Sequence, residues 1–162
     1  LIKFLSKRDK KIKSVQIQFS LLAPDLLKQN KVKKICEEND IDFFAYSPLS
    51  FGILAIDPDK EVKRKNTFLR NALFENYKKP TYELRRCLKR IADKRSVSQA
   101  QVAINWCCYQ GAIPLVGMRK RAQVIDTSNV FKWNLEKIEF ELLQEASRKC
   151  LKKMPRNPFS SF

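Results

Sequence analysis

The sequence predicts an α/β fold in which short parallel strands alternate with amphipathic helices. Three short apolar segments have strand character, and the segments between them carry apolar residues at helical spacing. The second and third strand segments each run into a polar turn, at Gly52 and Gly117. Short connections between alternating elements imply right-handed parallel crossovers, so these turns are expected at one edge of the sheet. That edge is where α/β proteins bind ligands.

The three strand segments differ in pattern. Residues 14–19 alternate apolar and polar side chains with period two, which predicts a strand. Residues 41–46 are apolar almost throughout, which predicts a strand covered on both faces. Residues 112–116 form a third short strand that ends at the second glycine turn.

Helical patterns occupy most of the remaining chain. They are expected at residues 1–11, 24–39, 67–77, from 80 through at least 92, 98–110, 119–131 and 134–150. The short helix at 67–77 lies in a long loop excursion that spans residues 53–79, and residues 155–162 are expected to form a tail. We treat residues 1–162 as a single domain, because the length suits one domain with a core of its own.

Several helix boundaries and faces follow from particular residues. Ser98 with Gln101 has the spacing of a capping box, and Gly111 is placed to end the same helix. The buried faces are expected to contain Leu84, Leu88, Ile91 and Ala92; then Ala103, Trp106 and Cys107; then Ile138, Leu142, Leu143 and Ala146. Trp133 and the phenylalanines are also expected in the core.

The charge of the chain raises the question of nucleic acid. The formal net charge is +16, and residues 60–95 contain 13 Lys and Arg against 4 Asp and Glu. Such a balance favours anionic partners, but charge alone provides only non-specific attraction. The basic residues are interleaved with apolar helix positions and no nucleic-acid motif accompanies them. Nucleic-acid binding is therefore the less favoured alternative.

Cysteine and histidine usage narrows the chemistry. The chain has five cysteines without metal-ligand spacing and no histidine. The odd number of thiols favours a reduced, cytoplasmic setting. The lack of histidine excludes a Ser-His-Asp triad or His-ligated zinc within this chain. No apolar run approaches the length of a membrane span, so no membrane association is expected.

Four sequence motifs resemble those in the C-terminal half of an aldo-keto reductase. They are VQIQFSLL at 15–22, AYSPL at 45–49, SQAQVAINW at 98–106 and IPLVGMR at 113–119. Their order and spacing match the family, and the resemblance covers about residues 10–150. It implies a partial (β/α)8 TIM barrel, made of roughly the last three parallel strands with their helices and the C-terminal helices.

The resemblance also implies a site for NADP(H). Gln16 matches the glutamine that holds the nicotinamide carboxamide, and Tyr46 matches the aromatic residue on which the nicotinamide ring stacks. The turn that cradles the pyrophosphate corresponds to Ser47, Pro48, Leu49, Ser50 and Gly52. The turn near the adenosine 2′-phosphate corresponds to Gly117, Met118, Arg119 and Lys120. The positions that contact the phosphate and adenine correspond to Gln123, Asp126 and Thr127.

General chemistry supports these roles, and some residues depart from the family pattern. A turn of backbone N–H groups suits a diphosphate, and cations at a helix start suit a phosphomonoester. Val15 replaces an asparagine, Lys120 and Arg121 stand where small or polar residues are common, and Thr127 replaces an adenine-binding asparagine.

The family's catalytic aspartate, tyrosine, lysine and histidine come from the first half of the barrel, to which no segment here corresponds. The resemblance therefore implies a truncated or fragmentary oxidoreductase chain that is inactive alone. The alternative is a non-catalytic half-barrel that pairs with a separately encoded N-terminal half or forms a homodimer, because three strands without closure leave sheet edges and apolar faces uncovered.

Overall fold

The structure is a computed structural model that describes residues 12–24, 31–60, 68–154 and 157–158. Its elements are β1 (Ser14–Gln18), α1 (Lys31–Glu38), β2 (Asp42–Tyr46), a 3-10 helix (Ser50–Ala55), α2 (Phe68–Lys78), α3 (Tyr82–Arg95), α4 (Gln99–Tyr109), β3 (Ile113–Leu115), α5 (Arg121–Ser128), a second 3-10 helix (Asn129–Lys132) and α6 (Lys137–Lys152). The helix predicted at residues 1–11 and most of the tail predicted at 155–162 lie outside the described residues.

The three strands form a parallel sheet in the order β1-β2-β3, which confirms the predicted architecture. Val15 pairs with Phe43 and Ile17 with Ala45, and these residues point toward the helices. On the other face, Gln16 pairs with Phe44 and Phe44 with Ile113. Phe44 is half-buried whereas Phe43 and Ala45 are buried, so the described residues cover one face of β2 more fully than the other.

The core lies between the sheet and helices α3, α4 and α6. Trp106 is fully buried and its ring stacks on Phe19 at a centroid distance of 5.1 Å. Leu84 and Leu88 bring α3 into the same cluster, as predicted. Each such side chain contributes about 1.5–3 kcal/mol on burial. Within the described residues this cluster holds the helix layer on one side of the sheet.

The helix ends follow the local chemistry of the sequence. Ser98 is the N-cap of α4, and its Oγ accepts a hydrogen bond from the Gln101 backbone N–H at 3.1 Å. The side chain of Gln101 does not complete the predicted capping box but bonds to Asp126. Gly111 follows the end of α4 with φ +78°, a left-handed conformation that glycine adopts without a Cβ penalty. Helix α6 begins at Lys137, after Glu136, rather than near residue 134.

Four residues that the sequence predicts in the core are exposed instead. Ile138 and Leu142 of α6 are 62% and 43% exposed, while Glu139 and Leu143 of the same helix are buried. Phe131 is 81% exposed and Phe51 is also largely exposed. The sequence predicts α6 as a helix, but the buried face of this helix is rotated relative to the prediction. Glu139 lies on the buried face, where it forms ion pairs with Arg95 and Lys94.

Candidate functional site

The turns that follow the strands meet at the carboxyl edge of the sheet. Since β1 is parallel to β2 and β2 to β3, the chain leaves all three strands on the same side. Tyr46 is the last residue of β2 and pairs with Gln18 on one side and Leu115 on the other. The structure therefore brings the turn at 47–52 beside the turn that begins at Gly117.

The turn at 47–52 has an unusual backbone. Ser47, Ser50 and Phe51 have φ values of +53°, +47° and +58°, and Gly52 has +93°. Leu49 has φ −98° and ψ 7°, in the bridge region directly before the left-handed Ser50. The N–H groups of Ser50 and Gly52 donate hydrogen bonds to the carbonyls of Ser47 and Leu49 at 2.9 and 2.8 Å. The main chain of this turn is therefore held partly by its own hydrogen bonds.

The side chains of the turn point in different directions. Pro48 and Ser50 are buried, and Leu49 packs partly against the core. The hydroxyl of Ser50 lies 2.8 Å from that of Ser20, within hydrogen-bonding distance. Ser50 therefore faces the protein with its side chain, and its backbone N–H donates to the Ser47 carbonyl at 2.9 Å.

Gln16 and Tyr46 lie on the same face of the sheet. Gln16 pairs with Phe44, and Tyr46 is two residues further along β2, so the two side chains are one register step apart. Gln16 is exposed and Tyr46 half-buried. The face also presents Ile113 and Leu115, which are 43% and 39% exposed. A flat ring and its amide substituent could lie on this part of the face.

The second turn leads into α5. Arg119 and Lys120 are exposed, and no carboxylate among the described residues lies within ion-pairing distance of either. Gln123 folds back so that its Oε1 accepts hydrogen bonds from the backbone N–H groups of Arg119 and Lys120 at 2.8 and 3.1 Å. This contact fixes the backbone between the turn and the helix while the cationic side chains face solvent. Met118 is also exposed.

Asp126 is committed to contacts within the protein. One carboxylate oxygen accepts a hydrogen bond from Ser98 Oγ at 2.7 Å, and the other accepts one from Gln101 Nε2 at 2.6 Å. Gln101 Oε1 in turn accepts a hydrogen bond from the Trp133 indole at 3.1 Å. Thr127, the next residue, is half-buried. The structure thus places Asp126 at the junction of α5 and α4.

Sequence reasoning did not single out Ser20 as a site residue, although it lies within one of the four matched motifs. It also read Gln101 as a capping residue rather than a partner of Asp126. The contact between Ser20 and Ser50 joins residues 30 positions apart, so no local pattern could reveal it.

A separate cleft of about 510 Å³ lies between the end of α3 and the start of α6. It is lined by Lys94, Arg95, Lys132, Trp133 and Glu136 among others. Arg95 contacts the carboxylates of Glu136 and Glu139 and lies over the Trp133 ring at 5.3 Å. The charge in this cleft is therefore largely balanced within the fold.

Other kinds of site are not found in the described parts of the chain. These parts contain no group of three or more metal-ligating side chains. None of their helices is both long and apolar enough to cross a membrane. All five cysteines are free thiols, and Cys36, Cys107 and Cys150 are buried.

Comparisons with curated proteins agree with the resemblance. The chain is 33% identical over 158 residues to the chloroplastic pyridoxal reductase of Arabidopsis thaliana, a match that covers 98% of this chain and 42% of the relative. It is 27% identical over 131 residues to an NADPH-dependent alpha-keto amide reductase of Saccharomyces cerevisiae, covering 80% of this chain and 35% of the relative. The chain spans less than half the length of these relatives.

Solved structures show the same fold. The glycerol dehydrogenase of Gluconobacter oxydans superposes with a TM-score of 0.72 at 20% identity, over 99% of this chain and 47% of that one. A thermostable aldo-keto reductase superposes with a TM-score of 0.65 at 16% identity, over 90% of this chain and 44% of that one. The three parallel strands with their helices are therefore part of a TIM barrel. The model of the aldo/keto reductase family matches residues 2–148, and this chain belongs to that family.

Proposed function

We propose that this chain provides the NADP(H)-binding half of a carbonyl-reducing oxidoreductase. One observation carries the proposal: the left-handed turn at 47–52 lies beside the turn at Gly117, on the carboxyl edge of a parallel sheet. Within a family of dinucleotide-dependent reductases, turns at this edge of the sheet are suitably placed for the pyrophosphate. Cytoplasmic residence, expected from the thiols, is proposed with it.

The proposed roles of the individual residues follow their placement. Gln16 and Tyr46 hold the nicotinamide on the open face of the sheet, and the backbone of 47–52 holds the pyrophosphate. Arg119 and Lys120 hold the adenosine 2′-phosphate, because both are exposed cations at the start of α5. Met118 lies against the same phosphate end of the cofactor.

Gln123 and Asp126 support this end of the site through their hydrogen bonds with the protein. Gln123 fixes the two backbone N–H groups at the start of α5, and Asp126 joins that helix to α4. Thr127 lies beside the adenine in this proposal.

The reaction needs more than this chain. NADPH supplies the hydride in this chemistry, whereas the family's proton-donating tyrosine and its aspartate, lysine and histidine partners lie in the other half of the barrel. The residues described here bind and orient; none is proposed to transfer the proton. We therefore propose that the chain binds NADP(H) but does not reduce a carbonyl substrate alone, and that the reaction belongs to a complete barrel.

The cofactor site is tested by titrating the purified chain with NADPH and with NADH while following tryptophan and nicotinamide fluorescence. We expect saturable binding that is tighter for NADPH. Replacing Arg119 with Gln should weaken NADPH binding about tenfold, as expected for a charge-assisted phosphate contact worth ~1.4 kcal/mol. NADH binding should change little. Folded protein that binds neither cofactor at millimolar concentration contradicts the proposal.

A second function, a half-barrel interaction module, is favoured by the open face of the sheet. Ile113 and Leu115 lie on the face that also carries Phe44, and they are 43% and 39% exposed. Apolar side chains so arranged are typical of a surface that another polypeptide covers. We propose that the face binds either the N-terminal half of a barrel or a second copy of this chain.

A further inference from the structure

Two adjacent turns of the carboxyl edge are joined by one pair of serine hydroxyls. Ser20 lies just after β1 and Ser50 lies in the turn after β2, and both are 1% exposed. Their Oγ atoms are 2.8 Å apart, and Ser20 Oγ also accepts a hydrogen bond from the Leu22 backbone N–H at 3.2 Å. Neither hydroxyl is therefore exposed to bulk solvent or placed to contact a ligand at the surface.

The segment that carries Ser20 is firmly held from outside the sheet. Ser20 and Ala23 exchange backbone hydrogen bonds of 3.0 and 3.4 Å, which closes a tight turn. The carbonyl of Leu21 accepts a hydrogen bond from Ser147 of α6, and that of Leu22 accepts one from Asn157. Leu21 and Leu22 are fully buried. This turn is thus a rigid support that connects α6 to the edge of the sheet.

The turn that carries Ser50 adopts a conformation that requires support. Three of its residues other than glycine have φ near +50°, and Phe51 is a bulky side chain for which this region is a genuine outlier. Non-glycine residues held in such conformations persist only where their surroundings constrain them, and they cluster at ligand-binding sites. The hydroxyl contact at Ser50 attaches the strained turn to the rigid support, in addition to the turn's own backbone hydrogen bonds from Ser50 to Ser47 and from Gly52 to Leu49.

We propose that Ser20 is a positioning residue of the dinucleotide site, acting through Ser50 to hold the 47–52 backbone in the shape that accepts the pyrophosphate. The inference rests on the proposed function. It assigns the Ser50 side chain to orientation rather than to phosphate binding. Loss of either hydroxyl leaves the other buried and short of a partner, and lets the turn leave its left-handed conformation.

The test compares Ser20→Ala, Ser50→Ala and the double variant in NADPH titrations. Each single variant should weaken binding about five- to tenfold, the range for loss of one buried hydrogen bond. The double variant should be no weaker than the weaker single variant, because the two hydroxyls act as one unit. Ser128→Ala, which removes a hydroxyl that bonds only to Ile125 on the exposed part of α5, is the control and should bind normally.

Two further measurements separate positioning from general stability. Ser50→Gly permits the left-handed conformation without a Cβ, so it should lose less NADPH affinity than Ser50→Ala, and Ser20→Ala should add no further loss to it. Amide exchange should accelerate at residues 49–54 in Ser20→Ala but not within β2. The thermal midpoint of Ser20→Ala should fall by only a few degrees, the cost of one buried hydrogen bond, so that the chain stays folded at the temperature of the titration.

The outcomes distinguish the two proposals. If the original chain binds no NADPH, the proposed function fails, and amide exchange alone decides whether Ser20 holds the turn. If Ser20→Ala leaves both exchange at 49–54 and NADPH affinity unchanged, the positioning role is overturned. It is also overturned if Ser20→Ala weakens binding equally in the Ser50→Gly background, or if the weakening follows a general loss of stability.

Discussion

Gly111 and Gly117 are present for different physical reasons. Gly111 has φ +78°, so a side chain there is strained whatever the space around it. Gly117 lies outside the left-handed region, and a Cβ built on it meets nothing within 4 Å. The fold itself therefore does not require glycine at 117, whereas close approach of a ligand to the turn would.

We predict that alanine affects stability at position 111 and cofactor affinity at position 117. Gly111→Ala should lower the free energy of unfolding by about 1 kcal/mol and leave NADPH affinity unchanged. Gly117→Ala should leave stability unchanged and weaken NADPH binding several-fold. Urea unfolding and fluorescence titration of both variants measure this. Unchanged cofactor affinity in Gly117→Ala would indicate that no ligand approaches this turn.

From the buried thiol of Cys150 we predict that the free energy of unfolding falls at alkaline pH. Burial raises its thiol pKa from the ordinary 9.0 to about 11, although Lys153 and Arg85 act in the opposite direction. Above pH 9 the unfolded chain therefore loses this proton before the folded chain does, so the free energy of unfolding falls between about pH 9 and 11. Cys150→Ala should show a shallower decline over this range in urea unfolding. An identical slope would refute the contribution of Cys150.

Helix α5 is attached to the fold by hydrogen bonds rather than by burial. None of its residues is buried, and Val124 and Ile125 are both exposed. Its side-chain contact with α4 is made by Asp126, through Ser98 and Gln101. An amphipathic pattern could not predict this arrangement, because the helix buries no apolar face.

Asp126→Ala should therefore loosen α5 without unfolding the core. We expect faster amide exchange across residues 121–128. The free energy of local opening of α5 should fall by about 1–3 kcal/mol, because the Gln101 side chain loses a buried partner. Exchange in α3 should not change. If α5 exchanges at its original rate in this variant, the carboxylate does not anchor it.

The contact between α3 and α6 depends on a buried carboxylate. Burial alone would raise the pKa of Glu139, but hydrogen bonds from Arg95, the Glu136 backbone and Lys94 outweigh it and hold the pKa below its ordinary value. The Arg95 Nε lies 2.9 Å from both carboxylate oxygens. The stabilisation is complete above the ordinary pKa and is lost as the pH falls through the lowered folded value.

Glu139→Gln should lower the free energy of unfolding by about 1–3 kcal/mol at pH 7, the usual range for a hydrogen bond to a charged group, because Arg95 keeps its pair with Glu136. The loss should shrink in acid, where the original carboxylate is also protonated. Glu141→Gln is the control, because Glu141 is exposed and reaches Lys137 only at 4.0 Å. Its effect in thermal or urea unfolding should stay below about 0.5 kcal/mol. Equal effects of the two variants would show that the pair of Glu139 with Arg95 stabilises the fold no more than an exposed ion pair does.

At the scale of the whole molecule, the open sheet face predicts association. Leu115→Glu places a charge on the face that presents Phe44 and Ile113, and should shift the chain toward monomer in sedimentation velocity. Phe131→Ser, on the exposed second 3-10 helix, is the control and should leave the distribution unchanged. A well-folded monomer at all concentrations in the original chain would contradict the interaction-module function.

The sequence by itself determined the elements that depend on local chemistry. The three strands, the Ser98 cap, the glycine at the end of α4 and the ordered family motifs were predictable, because each depends on neighbouring residues. The partial TIM-barrel fold was predicted from the four motifs taken together. The cofactor residues inferred from them, such as Gln16 and Arg119, stay predictions.

Only the tertiary structure decided which side chains meet across the fold. In the structure Glu139 and Leu143 form part of the buried face of α6, while Ile138 is exposed, and Ile113 and Leu115 of the sheet are partly exposed. The tertiary structure also joined Asp126 to Gln101 and Ser20 to Ser50. The physical reason for these two polar contacts is the same. A buried polar group is stable only with a partner, and that partner is supplied by a distant segment whose position depends on the packing of the whole chain.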